Sequence, residues 1–394
     1  MAQPHAVVIG GGVGGLAAGA ALYQRGWAVT VCERAPALDP VGAGLAVAPN
    51  GLRALDALGV GDSVRERSAV QGVAGLRRQD GRWLLRTTVG YMRRRLGDEL
   101  VVLLRSELIA ALASCLPAGA LHTATTVTSV DPGDTRRPAR VGTGSGELTA
   151  DLVVAADGLR SSVRPELFLE HPGPVYAGFT SWRFVVDRPS PDMAYGESWG
   201  KGGVVGMLPL AGDRVYCYAT ANVPAGQKAV DERAELLRRF GDWHAPIPDL
   251  IEAAEPEGVL RTDAWHIDTP LPAYGKGRVA LLGDAAHAMT PNLAQGACQA
   301  IEDAVVLAHH VDESVAYVPN ALRSYTDARL PRTTRMVQRS AQLAEMAQSE
   351  SPLLIRLRDT GASVVGKLAP LLLSQYVRPA QDWQPPGGAA RRWA

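Results

Sequence analysis

The chain has 394 residues, with 40 lysines and arginines balanced by 40 aspartates and glutamates. That length supports a large core and two or three domains, and a zero formal charge argues against a nucleic-acid partner, which would call for a basic face. The four cysteines, Cys32, Cys115, Cys217 and Cys298, form no CxxC pair, as expected of reduced thiols in a cytoplasmic enzyme.

The chain opens as strand, glycine turn, helix and strand, in "HAVVIG", "GGVGG", "LAAGAALYQRG" and "AVTVCER". This is a βαβ unit, with Gly26 as the helix stop. The uncharged stretch Ala6 to Tyr23 lacks a basic flank, and its glycines fit a turn better than a span. Lys367 interrupts the late apolar run, so a soluble protein with no membrane partner is expected. "NGLRALDALG" spaces leucines helically, with Asn50 as N-cap and Gly59 after the helix end. Short strands follow around the Asp80-Gly81 hairpin signal. Arg93 to Arg95, the densest basic run, reads as solvated surface. "RSELIAALASCL" is a helix, and "ELTADLVVAADGLRSSVR" a strand pair entering a turn. From about Pro172 to Glu257 the alternation in "SWRFVV" and "RVYCYATAN" predicts a separate antiparallel sheet. "GRVALLGDAAH" returns to buried-strand style. Helices from about Asn320 to Ser349 and Leu353 to Leu373 lead to a tail, "QDWQPPGGAARRWA", expected to be loose.

The fold class expected is therefore α/β, a Rossmann-like nucleotide-binding domain with an inserted antiparallel β-sheet domain and C-terminal helices. The expected division is 1–70, 95–171 and 258–350 for the first, 71–94 and 172–257 for the second, and 351–394 for the C-terminal helix and tail.

Gly10, Gly12 and Gly15 give G-x-G-x-x-G between strand and helix. The first permits a tight turn, the second lets a pyrophosphate approach the backbone, and the third lets helix and strand pack closely. Glu33 stands where a carboxylate grips ribose hydroxyls and would repel a 2′-phosphate, which points to FAD or NAD. Two further turns follow apolar strands, Asp157-Gly158 in "AADGLRSSVR" and Gly283-Asp284 in "LLGDAAHAMTPNLAQGACQAIEDA". An Asp-Gly turn is common by itself, but the order of both after the glycine fingerprint is not.

With "GAGLAVAPNGLRALDALG" and "SYTDARLPRT", these stretches make the chain resemble the group A FAD-dependent aromatic monooxygenases. These are related to p-hydroxybenzoate hydroxylase, and the likeness is nearest to the salicylate, 3-hydroxybenzoate and urate hydroxylase branch. It spans about Val7 to Arg339. It implies that Arg34 and Arg105 contact the adenosine or pyrophosphate side of FAD and that Asp157 sits near the pyrophosphate. It further implies that Asp284 binds the ribityl chain and that Pro291, Gly296 and Ala297 shape a helix N-terminus at the flavin N1–C2=O edge, where negative charge is stabilised. Ala294 departs from the glycine of many relatives.

The same resemblance implies an NADH- or NADPH-dependent enzyme whose flavin reacts with O2 to a C4a-hydroperoxide and hydroxylates a small aromatic or heteroaromatic substrate. No metal is expected, because the histidines show no ligand spacing. Alternatives are an epoxidising or Baeyer–Villiger enzyme of the same fold, a flavin halogenase, whose Trp-x-Trp-x-x-Pro stretch is absent here, and a non-catalytic FAD-binding protein. Monomer and homodimer stay open. Arg183 and Tyr216 are the candidate catalytic residues on the substrate side, with Trp182, Trp199, Met207 and Tyr218 as companions in a floor over the flavin. Arg183 is singled out because a buried arginine needs an anionic or carbonyl partner. Ordinary sheet packing competes for the tyrosines, which alternation places on one face. His287 reads as a structural hydrogen-bonding residue near the cofactor.

Overall fold

The computed structural model describes residues 3–38, 43–69, 72–190, 192–311, 317–368 and 380–387, with the side chains of 95–96 and 364–368 excepted. The expected α/β architecture is present. A six-stranded sheet runs in the order Gly275–Lys276, Val279–Leu281, Leu152–Ala155, His5–Ile9, Ala28–Cys32 and Leu121–His122. Its pairs are parallel except at the Gly275–Lys276 edge. Ala6, Val7, Val8, Leu152, Val153, Val154 and Leu281 are wholly buried, because the helix Val13–Gln24 and a three-stranded antiparallel sheet of Val127–Asp131, Ala139–Thr143 and Gly146–Ala150, which adds Val130, Val141 and Ala150 to the same core, pack against these strands and leave them no polar side. Each buried valine or leucine is worth about 1.5–3 kcal/mol.

The helix Val13–Gln24 packs against Gly296–His310 so closely that a Cβ on Gly14 would lie 2.7 Å from Leu282 Cδ2 and 3.3 Å from Ala300 Cβ. The N-terminal unit and the "LLGDAAH" segment thereby share one core.

The second sheet has seven strands, ordered Leu260–His266, Val175–Asp187, Arg214–Asn222, Gly203–Leu210, Tyr195–Trp199, Val73–Arg78 and Trp83–Thr88. It is antiparallel except where Tyr195–Trp199 pairs with Val73–Arg78. One face carries Trp182, Phe184, Met207 and Cys217 against Leu236, Phe240 and Leu250 of the short helices Glu232–Phe240 and Ile247–Glu252. The other face rests on the antiparallel pair of Gly44–Val47 and Val101–Leu104 and on the end of the long helix Val318–Ala347.

Two local expectations are corrected. Asn50 is not a cap: the helix Pro49–Ala57 starts after Ala48, and the Asn50 amide turns inward to Gln295 and Glu302. The described part of the tail is not loose either. Arg53 Nε donates to the Trp383 carbonyl at 2.8 Å, Arg332 Nη2 donates to the Ala380 carbonyl at 2.7 Å, and Trp383 packs on the main core. Polar composition suggested a solvated end, but two arginines in need of acceptors fasten it down.

Candidate active site

The glycine turn is built as the sequence anticipates. Gly10 has φ +105°, and a Cβ there would lie 2.5 Å from the Ala156 carbonyl oxygen, so only glycine fits. A Cβ on Gly15 would fall 1.9 Å from the Gly10 carbonyl oxygen, which is the close packing of helix on turn. Gly12 differs, because among the described residues its Cβ would meet nothing nearer than Arg105 Nη2 at 3.8 Å. The turn is therefore open at Gly12, at the N-terminus of the helix Val13–Gln24, with a guanidinium standing beside the opening. N–H groups and a cation around a backbone without Cβ suit an anion such as a pyrophosphate.

Arg105 reaches this place because it opens the helix Arg105–Ala113 directly after the strand Val101–Leu104, and its own N–H donates to the Ala43 carbonyl at 3.1 Å. Glu33 lies at the end of the next strand. Its carboxylate accepts from Gly11 N at 2.6 Å and Ala35 N at 2.8 Å, which fixes its orientation and leaves a further lone pair on each oxygen. Arg34 beside it is exposed. Asp157 follows the strand Leu152–Ala155, against whose end Gly10 packs. Its Oδ2 accepts from Ser162 N at 2.8 Å, whereas its Oδ1 is buried without a partner. A buried carboxylate oxygen without a donor is costly and suits a hydroxyl or water brought by a ligand.

The second turn converges on the same line. Asp284 opens the short helix Asp284–His287 and is exposed, and its Oδ1 lies 3.9 Å from where a Cβ on Gly296 would be. Gly296 and Ala297 begin the 15-residue helix Gly296–His310, whose first N–H groups have no intrahelical acceptor. The short Pro291–Leu293 turn that precedes it ends at Ala294, a non-glycine residue in left-handed backbone at φ +50° and ψ +37°. The glycine turn, Arg105, Asp157, Asp284 and the Gly296 helix end therefore fit a dinucleotide laid across the sheet's end.

A buried ionic cluster holds this helix end, and the sequence reading missed it. Glu302 and Asp303 lie wholly buried on the helix Gly296–His310. Arg329 Nε meets Asp303 Oδ1 and its Nη1 meets Glu302 Oε2, both at 2.6 Å, while Arg332 Nε reaches Glu302 Oε2 at 2.7 Å. Asn50 Nδ2 donates to Glu302 Oε1 at 2.7 Å and to Gln295 Oε1 at 2.9 Å, the residue just before Gly296. His287 Nε2 bonds Asp303 Oδ2 at 2.6 Å, and Gly283 N donates to the same oxygen at 3.0 Å. His287 thus has the hydrogen-bonding place expected of it. Burial alone would raise the Asp303 carboxyl, but His287 and Arg329 beside it override that and hold it down to about 2. Two acids next to each other in an otherwise apolar helix, and arginines three apart in "ARLPR", were the available signals.

On the substrate side the sheet sorts the candidates by face. Trp182 and Met207, expected on the floor toward the flavin, turn to the opposite face, where Trp182 Nε1 donates to Glu232 Oε2 at 2.7 Å. Tyr216 and Tyr218 do share the inner face, with ring centroids 5.9 Å apart. The Tyr216 ring packs on the strand Gly44–Val47, where a Cβ on Gly44 would lie 2.4 Å from its Cγ. Burial pushes its hydroxyl up to about 12, against the pull of the nearby Arg183 charge. Arg183 is half-buried on this inner face and forms no hydrogen bond or ion pair among the described residues. Trp199 is on the inner face too, packed with Val204 and Ala347.

A parallel sheet with an anion-binding glycine turn, a second turn with an open helix end, and a second sheet packed over them define a two-lobed flavin-dependent oxidoreductase. Residues 4–340 match the FAD binding domain family, and the chain belongs to that family of FAD-dependent monooxygenases. It is 39% identical over 357 residues to the aurachin C monooxygenase/isomerase of Stigmatella aurantiaca, covering 90% of this chain and 92% of that protein. It is 34% identical over 351 residues to the 3-amino-4-hydroxybenzoate 2-monooxygenase of Streptomyces cremeus, covering 86% of each. The crystal structure of Klebsiella pneumoniae HpxO complexed with FAD and uric acid superimposes with a TM-score of 0.88, at 27% identity and 96% coverage of both chains. Among the described residues no helix is long and apolar enough to cross a membrane.

Proposed function

We propose that the protein hydroxylates a small aromatic or heteroaromatic compound at the expense of O2 and NADH or NADPH. FAD, when bound, would supply the redox chemistry of such a hydroxylation. Gly10, Gly12, Gly15, Glu33, Arg34 and Arg105 hold its AMP and pyrophosphate portion. Asp157 presents its unpartnered oxygen near the pyrophosphate. Asp284, Pro291, Gly296 and Ala297 hold the riboflavin portion, the helix end favouring negative charge on the ring edge.

The observation that carries the substrate side is Arg183, a half-buried guanidinium without a partner among the described residues, on the inner face of the second sheet. A cation in that setting is stabilised by an anionic or carbonyl group arriving with the substrate. It orients the ring, and the sheet and the strand pair packed on it exclude water around it. Support comes from relatives that act on such rings: the Streptomyces enzyme is named for 3-amino-4-hydroxybenzoate, and the Klebsiella protein was crystallised with uric acid. The epoxidising and Baeyer–Villiger alternatives gain nothing from this residue.

The test is the visible spectrum of the purified protein, followed by NADH and NADPH oxidation with a panel of hydroxylated aromatic acids, hydroxyquinolines and purines. The reading predicts a flavin spectrum, nucleotide oxidation accelerated by one class of ring, and a hydroxylated product. An Arg183→Met variant should retain FAD and lose affinity for anionic rings by roughly tenfold to a hundredfold. Bound FAD that neither nucleotide reduces, with or without any ring, would refute the reading.

A further inference from the structure

A cleft beside the turn that carries Asp284 has no part in the preceding account. It encloses about 240 Å³, part of it open to solvent. Its walls come from the segment after the strand Leu260–His266, the short helix Asp284–His287 and the middle of the long helix Val318–Ala347. Asp268 and Gln338 are exposed and form the mouth, Thr334 is half-buried, and Tyr274 and His287 are buried. The other walls are aliphatic, and no lysine or arginine lines the cleft.

His287 is only 2% exposed, and its two nitrogens are treated unequally. Nε2 bonds Asp303 Oδ2 at 2.6 Å, whereas Nδ1 is buried without a partner among the described residues. An ionised carboxylate only accepts, so the proton of that bond sits on Nε2. Glu302 and Asp303 are already matched by the guanidinium groups of Arg329 and Arg332. A further charge on the imidazole would be unbalanced in a sealed place. The neutral ring therefore keeps a lone pair on Nδ1, an acceptor in need of a donor.

The cleft supplies room for that donor and favours a positive one. Asp268 brings a carboxylate to the mouth, Thr334 and Gln338 bring further acceptor oxygens, and Tyr274 adds an aromatic ring to the walls. The Tyr274 hydroxyl is already committed to Thr333 at 2.5 Å. A metal ion would call for several side-chain ligands together, and the described residues contain no such group of histidine, cysteine, aspartate and glutamate. An ion that binds through its own N–H groups has no such requirement.

We propose that this cleft is a binding site for a small primary ammonium ion, which donates an N–H to His287 Nδ1 while Asp268 balances its charge. The bound ion keeps the imidazole proton on Nε2 and hence the bond to Asp303, whose Oδ2 also takes the Gly283 N–H. Gly283 precedes Asp284, so the ion braces the turn that faces FAD. The inference does not depend on which ring the enzyme oxidises.

The experiment uses FAD-loaded protein with isotope-labelled histidine, observed by nitrogen NMR and titrated with methylammonium chloride. Potassium chloride and tetramethylammonium chloride, cations without an N–H, are the controls at equal ionic strength. The His287 signals are assigned by their loss in His287→Gln. Methylammonium should move the Nδ1 resonance saturably and slow the release of FAD, while the controls do neither. Asp268→Asn, a change at an exposed position, should weaken methylammonium roughly twofold to fivefold. An Nδ1 resonance that methylammonium leaves in place would overturn the proposal, as would an equal response to potassium or tetramethylammonium. Methanol bound as tightly as methylammonium, or an Asp268→Asn variant of unchanged affinity, would refute the cationic character of the site. A saturable shift with FAD release unaltered would refute the brace.

Discussion

The three fingerprint glycines do different work, and the difference is measurable. An added methyl at Gly15 collides with the Gly10 carbonyl at 1.9 Å, whereas one at Gly12 has 3.8 Å of clearance. Gly15→Ala is expected to destabilise the apoprotein by at least ~2 kcal/mol through backbone displacement. Gly12→Ala should leave the apoprotein within ~0.5 kcal/mol of wild type and weaken FAD at least tenfold, because its methyl occupies only the space a pyrophosphate needs. Urea unfolding of the apoproteins and FAD titration separate the two, and a Gly12→Ala variant with normal FAD affinity would refute the turn's assignment. Ala294 poses the opposite question. At φ +50° an alanine bears about 1–2 kcal/mol of strain that glycine relieves, less about 0.5–1 kcal/mol of added chain entropy. Ala294→Gly should therefore raise stability by up to about 1.5 kcal/mol, read as a shift in the urea midpoint. The fingerprint was legible because its geometry is local: three glycines at two spacings within six residues determine it. The cleft at His287 was not, since nothing near it in the chain announces that Asp268 and Gln338 border it.

Among elements, the helix Gly296–His310 is the one whose position decides the site, and it is held from the side by ions. Arg329 and Arg332 belong to the helix Val318–Ala347, and Asn50 to the helix Pro49–Ala57. Removing one member strands a buried charge, so Arg329→Met should cost about 3–5 kcal/mol in urea unfolding. The pH dependence has a definite sign. Asp303 titrates at about 2 in the folded protein, against about 3.9 in an unfolded chain. A depressed folded pKa gives stability that is present above the unfolded value and is lost as pH falls through the folded one. Wild type should shed about 2–3 kcal/mol from this group between pH about 4 and about 2. Asp303→Asn, already weaker at neutral pH, should lack that part of the slope, and an unchanged slope would show that other carboxylates carry it. The helices themselves were readable from apolar periodicity. Their ionic coupling was not, because Glu302 and Arg329 are far apart in the chain and only the folded packing makes them neighbours.

At the scale of the molecule, the Rossmann-like fold class was legible while the return of the chain end was not. The apolar runs at Val7, Val153 and Ala280 announced parallel strands, but the composition of 380–387 is that of a solvated tail. Those residues instead close over the two helices that brace the flavin end. The Arg53 guanidinium donates to the Gln381 and Trp383 carbonyls, and Arg332 links the Ala380 carbonyl to Glu302. Ending the chain after residue 379 removes these acceptors and uncovers the apolar surface beneath Trp383. The two arginines can rehydrate at the surface, and Arg332 keeps Glu302, so the loss is bounded at about 2–4 kcal/mol. The bonds described for this segment run to Arg53 and Arg332, so FAD content should persist while the urea midpoint falls. A truncated protein of unchanged midpoint would mean that water replaces the clasp without cost. One that loses FAD at full stability would mean that the chain end acts on the cofactor directly rather than through the helices beneath it.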